Sequence, residues 1–224
     1  MSQGVPSAIE RAPYRSLLAC VLLLAGCATT LQMYSEQIIA DPSSRSLKPG
    51  DLASFGIAFV TPSTVTGQEE DKPALASAFS KALEEQLPNV RIVPLLETLT
   101  SVNRAGLFEN YRRMIIEYRD SGSLDPTALA QVGKVTGARY IAMLNMANFQ
   151  QVYHDRLGIF GLRVLQTKEA NIRLTLQIWD SSDGSLVWEG AQEIHMASET
   201  AAESAVSFGS VVEAAAEKLV AKIP

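Results

Sequence analysis

The chain has 224 residues, 47% of them hydrophobic, with 19 basic against 24 acidic residues and a formal net charge of −5. That length suits one domain with a full core, and the mild acidity excludes a nucleic-acid binder, whose phosphate contacts require a basic face. Two cysteines and two histidines exclude a disulfide framework or a thiolate metal cluster of any size.

The first element is a targeting signal. Arg11 and Arg15 precede a short apolar run that ends in Leu24-Ala25-Gly26-Cys27. A bilayer span needs roughly 20 apolar residues, and this run is shorter. Basic flank, apolar stretch and small residues before a cut are the parts of a secretory signal. The Leu-Ala-Gly-Cys ending resembles the lipobox of bacterial lipoproteins. The resemblance implies cleavage between Gly26 and Cys27, a diacylglyceryl group on the Cys27 thiol, and acylation of the new amino group. It also implies sorting to the outer membrane, since Ala28 rather than Asp follows the cysteine. The expected organisation is a signal peptide over residues 1–26, a lipidated N-terminus and tether over 27–50, and a periplasmic domain over 51–224. Cys20 leaves with the signal and Cys27 carries the lipid, so no thiol remains for a disulfide or a metal. No later segment reads as a membrane helix, so attachment rests on acyl chains, each buried CH₂ contributing about 0.8 kcal/mol.

Residues 28–50 carry linker chemistry in Asp41-Pro42-Ser43-Ser44 and Lys48-Pro49-Gly50. Leu31, Met33, Tyr34, Ile38 and Ile39 give this stretch an apolar side that can dock on the domain. Ala53 to Val60 reads as a buried strand. Leu75, Phe79, Ala82, Leu83 and Leu87 predict a helix over 74–87, stopped by Pro88-Asn89. A short strand follows at Val90 to Val93. Leu107, Tyr111, Met114, Ile115 and Tyr118 predict one helix over 102–118. Asp125-Pro126 starts another, with a cap acceptor and a proline in the first turn, and Gly137 ends it. Tyr140 to Val152 is a strand. Ala170 to Asp180 alternates, with Ile172, Leu174, Leu176 and Ile178 on one face and Arg173, Thr175, Gln177 and Trp179 on the other. Ser181-Ser182-Asp183-Gly184 turns the chain into a paired strand over 185–196. Phe208, Val211, Val212, Ala215, Leu219 and Val220 mark a closing helix over 205–223. The order β-α-β-α-α-β-β-β-α predicts a single α/β sandwich on a mixed sheet with an antiparallel C-terminal half.

Catalytic signatures are missing from this order. His154 and His195 have no cluster of ligating residues at metal spacing, and each reads as a surface or sheet-edge residue. There is no Gly-x-Ser-x-Gly elbow, P-loop or Gly-x-Gly-x-x-Gly. Asp180 and Asp183 read as turn residues accepting from nearby backbone N–H groups. Glu84-Glu85 and Arg112-Arg113 read as solvated helix faces. Trp179 and Trp188 read either as braces on the paired strands or as an exposed aromatic contact for a partner or headgroup layer. The pattern therefore predicts a protein that is not an enzyme, without metal and without cofactor other than the lipid on Cys27. One stretch invites a contact. Leu157 to Leu165 is apolar and contains Gly158 and Gly161 between polar flanks. It is either a core strand extension or a projecting hairpin with Leu157, Ile159, Phe160 and Leu162 as an interaction surface for a partner subunit or a membrane.

Two segments carry a wider resemblance. The strand Ala138 to Asn145 and the run from Ile172 through Asp180-Ser181-Ser182-Asp183-Gly184 to Trp188 resemble the CsgG/LpoB/PelC-like bacterial envelope lipoproteins. In that group an alternating strand, an Asp, a Gly turn and a short apolar strand recur in this order. The likeness spans roughly residues 51–223 by element order. It implies a lipid-anchored protein on the periplasmic face of the outer membrane, a non-enzymatic assembly or accessory subunit in envelope export or wall construction. Its partners would be the membrane through its acyl chains, other envelope proteins and further copies of itself as a homo-oligomer. The alternative is a pore-forming secretion channel subunit. Membrane-spanning strands need about 9–11 residues each; Gln150 to Glu169 barely supplies one hairpin, and Glu193 to Ser204 is too short and polar for a second.

Overall fold

A single mixed sheet runs through the protein. The computed structural model describes residues 32–34, 47–64, 71–159, 162–200 and 208–224. Its strands are β1 (Gln32–Tyr34), β2 (Ile57–Phe59), β3 (Ser63–Thr64), β4 (Ile92–Val93), β5 (Tyr140–Ile159), β6 (Leu162–Asp180) and β7 (Ser185–Thr200). They lie in the order β1-β7-β6-β5-β2-β4, with β3 also paired to β5. β2 is parallel to both β4 and β5, whereas β5, β6, β7 and β1 are successively antiparallel. This is the mixed α/β sandwich expected from the sequence, with its antiparallel half at the C-terminal end of the chain.

The helices are α1 (Asp51–Phe55), α2 (Asp71–Gln86), α3 (Leu95–Arg104), α4 (Phe108–Ser121), α5 (Pro126–Thr136) and α6 (Phe208–Val220). They divide between the two faces of the sheet. On one face Leu75, Phe79 and Leu83 of α2 and Val212, Ala215 and Leu219 of α6 pack with Ile57, Phe59, Leu144, Leu174, Leu176 and Trp188. On the other, Val102, Tyr111, Met114, Leu129 and Val132 from α3, α4 and α5 pack with Ala58, Ile141, Met143 and Trp179. Both tryptophans are buried in these cores, one in each.

Three local expectations are corrected. Residues 53–55 are helical and belong to α1, so the buried strand starts only at Ile57. The helix expected over 102–118 is two helices, because the chain turns at Gly106 with φ +71°. That left-handed conformation is open to glycine and costly for a side chain with a Cβ. Val102 therefore belongs to the buried side of α3, while Tyr111, Met114 and Tyr118 form that of α4. The hairpin strands also run further than residues 152 and 170. They stay paired as far as Ile159 and Leu162.

The helix-start reading at Asp125 matches the structure. Asp125 Oδ1 accepts from the Ala128 N–H at 2.7 Å, and Gly137 leaves the helix with positive φ. Gly133 of α5 lets the helix lie against the β6–β7 turn. A Cβ there would stand 2.2 Å from Ser181 Oγ and 2.7 Å from its Cβ.

That turn is pinned by an ion pair the sequence did not reveal. Asp180 accepts from the Ser182 N–H at 2.9 Å and its hydroxyl at 2.6 Å, as a turn residue should. Its carboxylate also takes Arg139 Nε at 3.0 Å and Nη2 at 2.6 Å. The guanidinium lies 5.0 Å from the Phe55 ring centroid and 5.6 Å from that of Tyr140. Burial alone would raise the Asp180 pKa, but the hydrogen bonds from Arg139 and Ser182 outweigh it and hold the carboxyl below its ordinary 3.8. A depressed folded pKa contributes stability above the unfolded value, and that contribution is lost as pH falls through the folded one. Asp180→Asn should thus lower stability at pH 7 by about 2–3 kcal/mol, below the ~3–5 kcal/mol of a fully buried pair because Arg139 is partly exposed. The gap between wild type and variant, measured by urea unfolding, should narrow below about pH 4. A gap that stays constant down to pH 2 would contradict this role for Asp180.

Candidate functional site

The sequence-predicted site residues fall at one end of the sheet or outside the described residues. Gly26 and Cys27 lie outside them, as does Phe160. Leu157 pairs with Leu165 and Ile159 with Leu162, at the end of the β5–β6 hairpin farthest from the Arg139–Asp180 pair. The pairing slips between Asp155 and Leu157 and again between Leu157 and Gly158, irregularities that bend a ribbon. β1 is laid along β7 near the same end. Gln32 pairs with Ala197, which pairs with Glu169, which pairs with Val152. From Tyr34 back to Gln32, β1 runs toward the hairpin end. Further along the chain, Leu47 is buried and its N–H donates to the Val187 carbonyl at 3.1 Å. The segment assigned as tether is thus attached to the β7 edge at two points.

His154 and His195 sit on β5 and β7, opposite Thr167 and Asn171 of the strand between them. Among the described residues no three His, Cys, Asp or Glu side chains are grouped to hold a metal ion. No helix there is long and apolar enough to cross a membrane.

The cavity with the richest chemistry lies elsewhere, where β3 and the residues before it face α3 and α4. It is a groove of about 490 Å³. Leu99 and Val102 of α3 and Tyr111 and Ile115 of α4 form its apolar floor, and Phe108 and Ile116 stand at its edge. Thr61, Ser63 and Thr64 line one side, and among the described residues Lys72, Arg112 and Arg119 are its charged lining residues. Tyr111 fixes the two walls together. Its hydroxyl accepts from the Thr61 N–H at 2.7 Å and shares a 2.8 Å hydrogen bond with the Thr61 hydroxyl. Burial raises the Tyr111 pKa, and the Thr61 hydrogen bonds only partly oppose it, so the phenol stays protonated. Two helical turns after Tyr111, Tyr118 donates to Gln177 Oε1 at 3.0 Å, and Gln177 donates to Glu189. Burial first, and then the Glu189 charge, push the Tyr118 pKa up to about 12. α4 is thereby tied through Tyr111 to the segment between β2 and β3 and through Tyr118 to β6.

Comparison with known proteins gives likeness at the level of structure alone. No protein-family model matches the chain, and no curated protein matches it. Among solved structures it is similar to the PelC dodecamer from Paraburkholderia phytofirmans, with 15% identity over 88% of this chain and 95% of that one, at a TM-score of 0.39. It is similar to lipoprotein GNA1162 from Neisseria meningitidis, with 11% identity over 75% and 97% of the two chains, at 0.41. It is similar to the LpoB C-terminal domain from Salmonella enterica, with 13% identity over 63% and 91%, at 0.36. PelC and LpoB belong to the group that the sequence resembles.

The groove was missed at the level of sequence because its parts are far apart in the chain. Arg112-Arg113 reads as a solvated face, and Arg113 does no more than donate to Asn110 Oδ1. Arg112 instead borders the groove. The signal available was on α4 itself. Phe108, Arg112 and Ile116 recur every four residues off the buried stripe, which puts two large apolar side chains on an otherwise polar face. The Tyr111 link has a direct consequence. Tyr111→Phe leaves the Thr61 N–H without its acceptor and should cost about 1–2 kcal/mol. Amide exchange should rise at residues 61–64 while the β5–β6 pairing near Tyr140 stays protected. Unchanged exchange at Thr61 would show that Tyr111 does not hold the groove wall.

Proposed function

We propose that this chain is a lipid-anchored protein of the bacterial envelope, attached at Cys27 to the periplasmic face of the outer membrane. It acts without catalysis, as an assembly or accessory subunit in export or wall construction. The observation that carries the reading is β1. Gln32 enters the sheet five residues after Cys27, so an acyl group on Cys27 stands at most about 18 Å from the β7 edge, even with the chain fully extended. An anchor so close keeps the domain against the bilayer instead of letting it range across the periplasm.

The hairpin end supports the same orientation, because β1 points toward it. Leu157, Ile159, Phe160 and Leu162 form the contact surface in this reading. The channel alternative needs spanning strands with a continuous apolar face. Residues 150–156 are Gln, Gln, Val, Tyr, His, Asp and Arg, which favours a contact at the hairpin end over a spanning barrel.

Two experiments test the proposal. Cells fed a fatty-acid analogue should label the wild type and not Cys27→Ser, and the labelled protein should fractionate with outer membranes. Equal labelling of both proteins, or recovery with inner membranes, would remove the anchor or its address. The double variant Ile159→Asp, Phe160→Asp should lose self-association or co-purifying envelope partners with its melting temperature changed by less than about 3 °C, roughly 1 kcal/mol for a domain of this size. Unfolding of that variant would place these side chains in a core. Membrane conductance by the purified protein would favour the channel.

A further inference from the structure

We infer that the groove between β3, α3 and α4 is a docking site for an acidic, amphipathic helix of a partner protein. The inference uses only side chains of the folded domain and stands independently of the anchor at Cys27. The first ground is apolar exposure where a monomer gains nothing from it. Phe108 is 52% exposed and Ile116 36% exposed. They sit two turns apart on α4 at the edge of a floor made by Leu99, Val102 and Ile115. Large apolar side chains bordering an apolar cleft are the anchors a partner's apolar stripe requires.

Charge complementarity supplies the sign of the partner. The whole chain has a net charge of −5, yet the charged side chains that α4 sets along the groove are Arg112 and Arg119, and among the described residues no carboxylate lines it. Arg112 pairs with Glu109 at 3.0 Å on the outer side, with both side chains more than half exposed. An exposed pair of that kind contributes little, so a partner carboxylate can replace Glu109 with small loss. Arg119 makes no ion pair among the described residues.

Spacing decides the kind of partner. Arg112 and Arg119 are seven residues apart on one helix, about 10 Å along its axis. A single lipid headgroup or phosphate cannot meet both. A second helix with two carboxylates two turns apart meets both while its apolar face covers Phe108 and Ile116. From Phe108 to Arg119, α4 offers about 16 Å of such surface, the length of a three-turn helix.

The test uses full-length protein in detergent and two fluorescein-labelled synthetic helices. One carries a leucine face flanked by two glutamates two turns apart; in the other both glutamates are lysines. Fluorescence anisotropy should show the glutamate helix binding at least tenfold more tightly than the lysine helix, with the preference falling as salt rises. Arg112→Glu with Arg119→Glu should reverse the preference, and Phe108→Ala should weaken both helices without changing it. The charge variant should melt like wild type, since both arginines are exposed. Equal affinity for both helices overturns the proposal. So does binding of phosphatidylglycerol vesicles, through Arg112 and Arg119, in place of the peptide. Loss of self-association in the charge variant would assign the groove to a second copy of this chain and overturn it equally.

Discussion

Burial of β5 on both faces is the constraint on which the remaining structure depends. Tyr140, Ala142, Leu144 and Met146 enter one core, and Ile141 and Met143 enter the other. A strand buried on both sides has to find hydrogen-bond partners along both edges, because an unpaired backbone group there has no water to turn to. β2 and β3 satisfy one edge in parallel and β6 satisfies the other antiparallel. β5 is therefore the seam between the parallel and antiparallel halves. The helices on either face exist as stable elements because this strand gives them something to cover.

The two ends of the β5–β6 pair have different physical characters. At the Tyr140 end, Arg139, Asp180, Ser182 and the α5 backbone at Gly133 lock the turn. Buried polar groups there are matched by charge-assisted bonds, which fixes one geometry. At the other end the β5–β6 pairing carries register slips, and β1 pairs with the neighbouring β7.

Much of this could be read from residue order. The alternation from Ile172 to Ile178 fixed which face of β6 is buried, since a period of two admits no other assignment. The Asp125-Pro126 start and Gly137 end of α5 were legible because caps are local chemistry. Asp180 and Asp183 were legible as turn residues for the same reason. The split between α3 and α4 was not, because Val102 before Gly106 and the stripe from Leu107 to Tyr118 after it read as turns of one apolar face. A glycine in a periodic stretch does not by itself announce a positive φ.

The sequence by itself determined the antiparallel hairpins and the apolar faces of the main helices. Both rest on neighbours within a few turns of the chain. Only the tertiary structure decided that Arg139 meets Asp180 across 41 positions, that Tyr111 meets Thr61 across 50, and that Lys72, Arg112 and Arg119 share a groove with Phe108 and Ile116. The physical reason is the same in each case. A side chain's partner across the fold depends on which strand β5 selects and on how the helices settle over it. Local propensity and spacing carry no record of that choice.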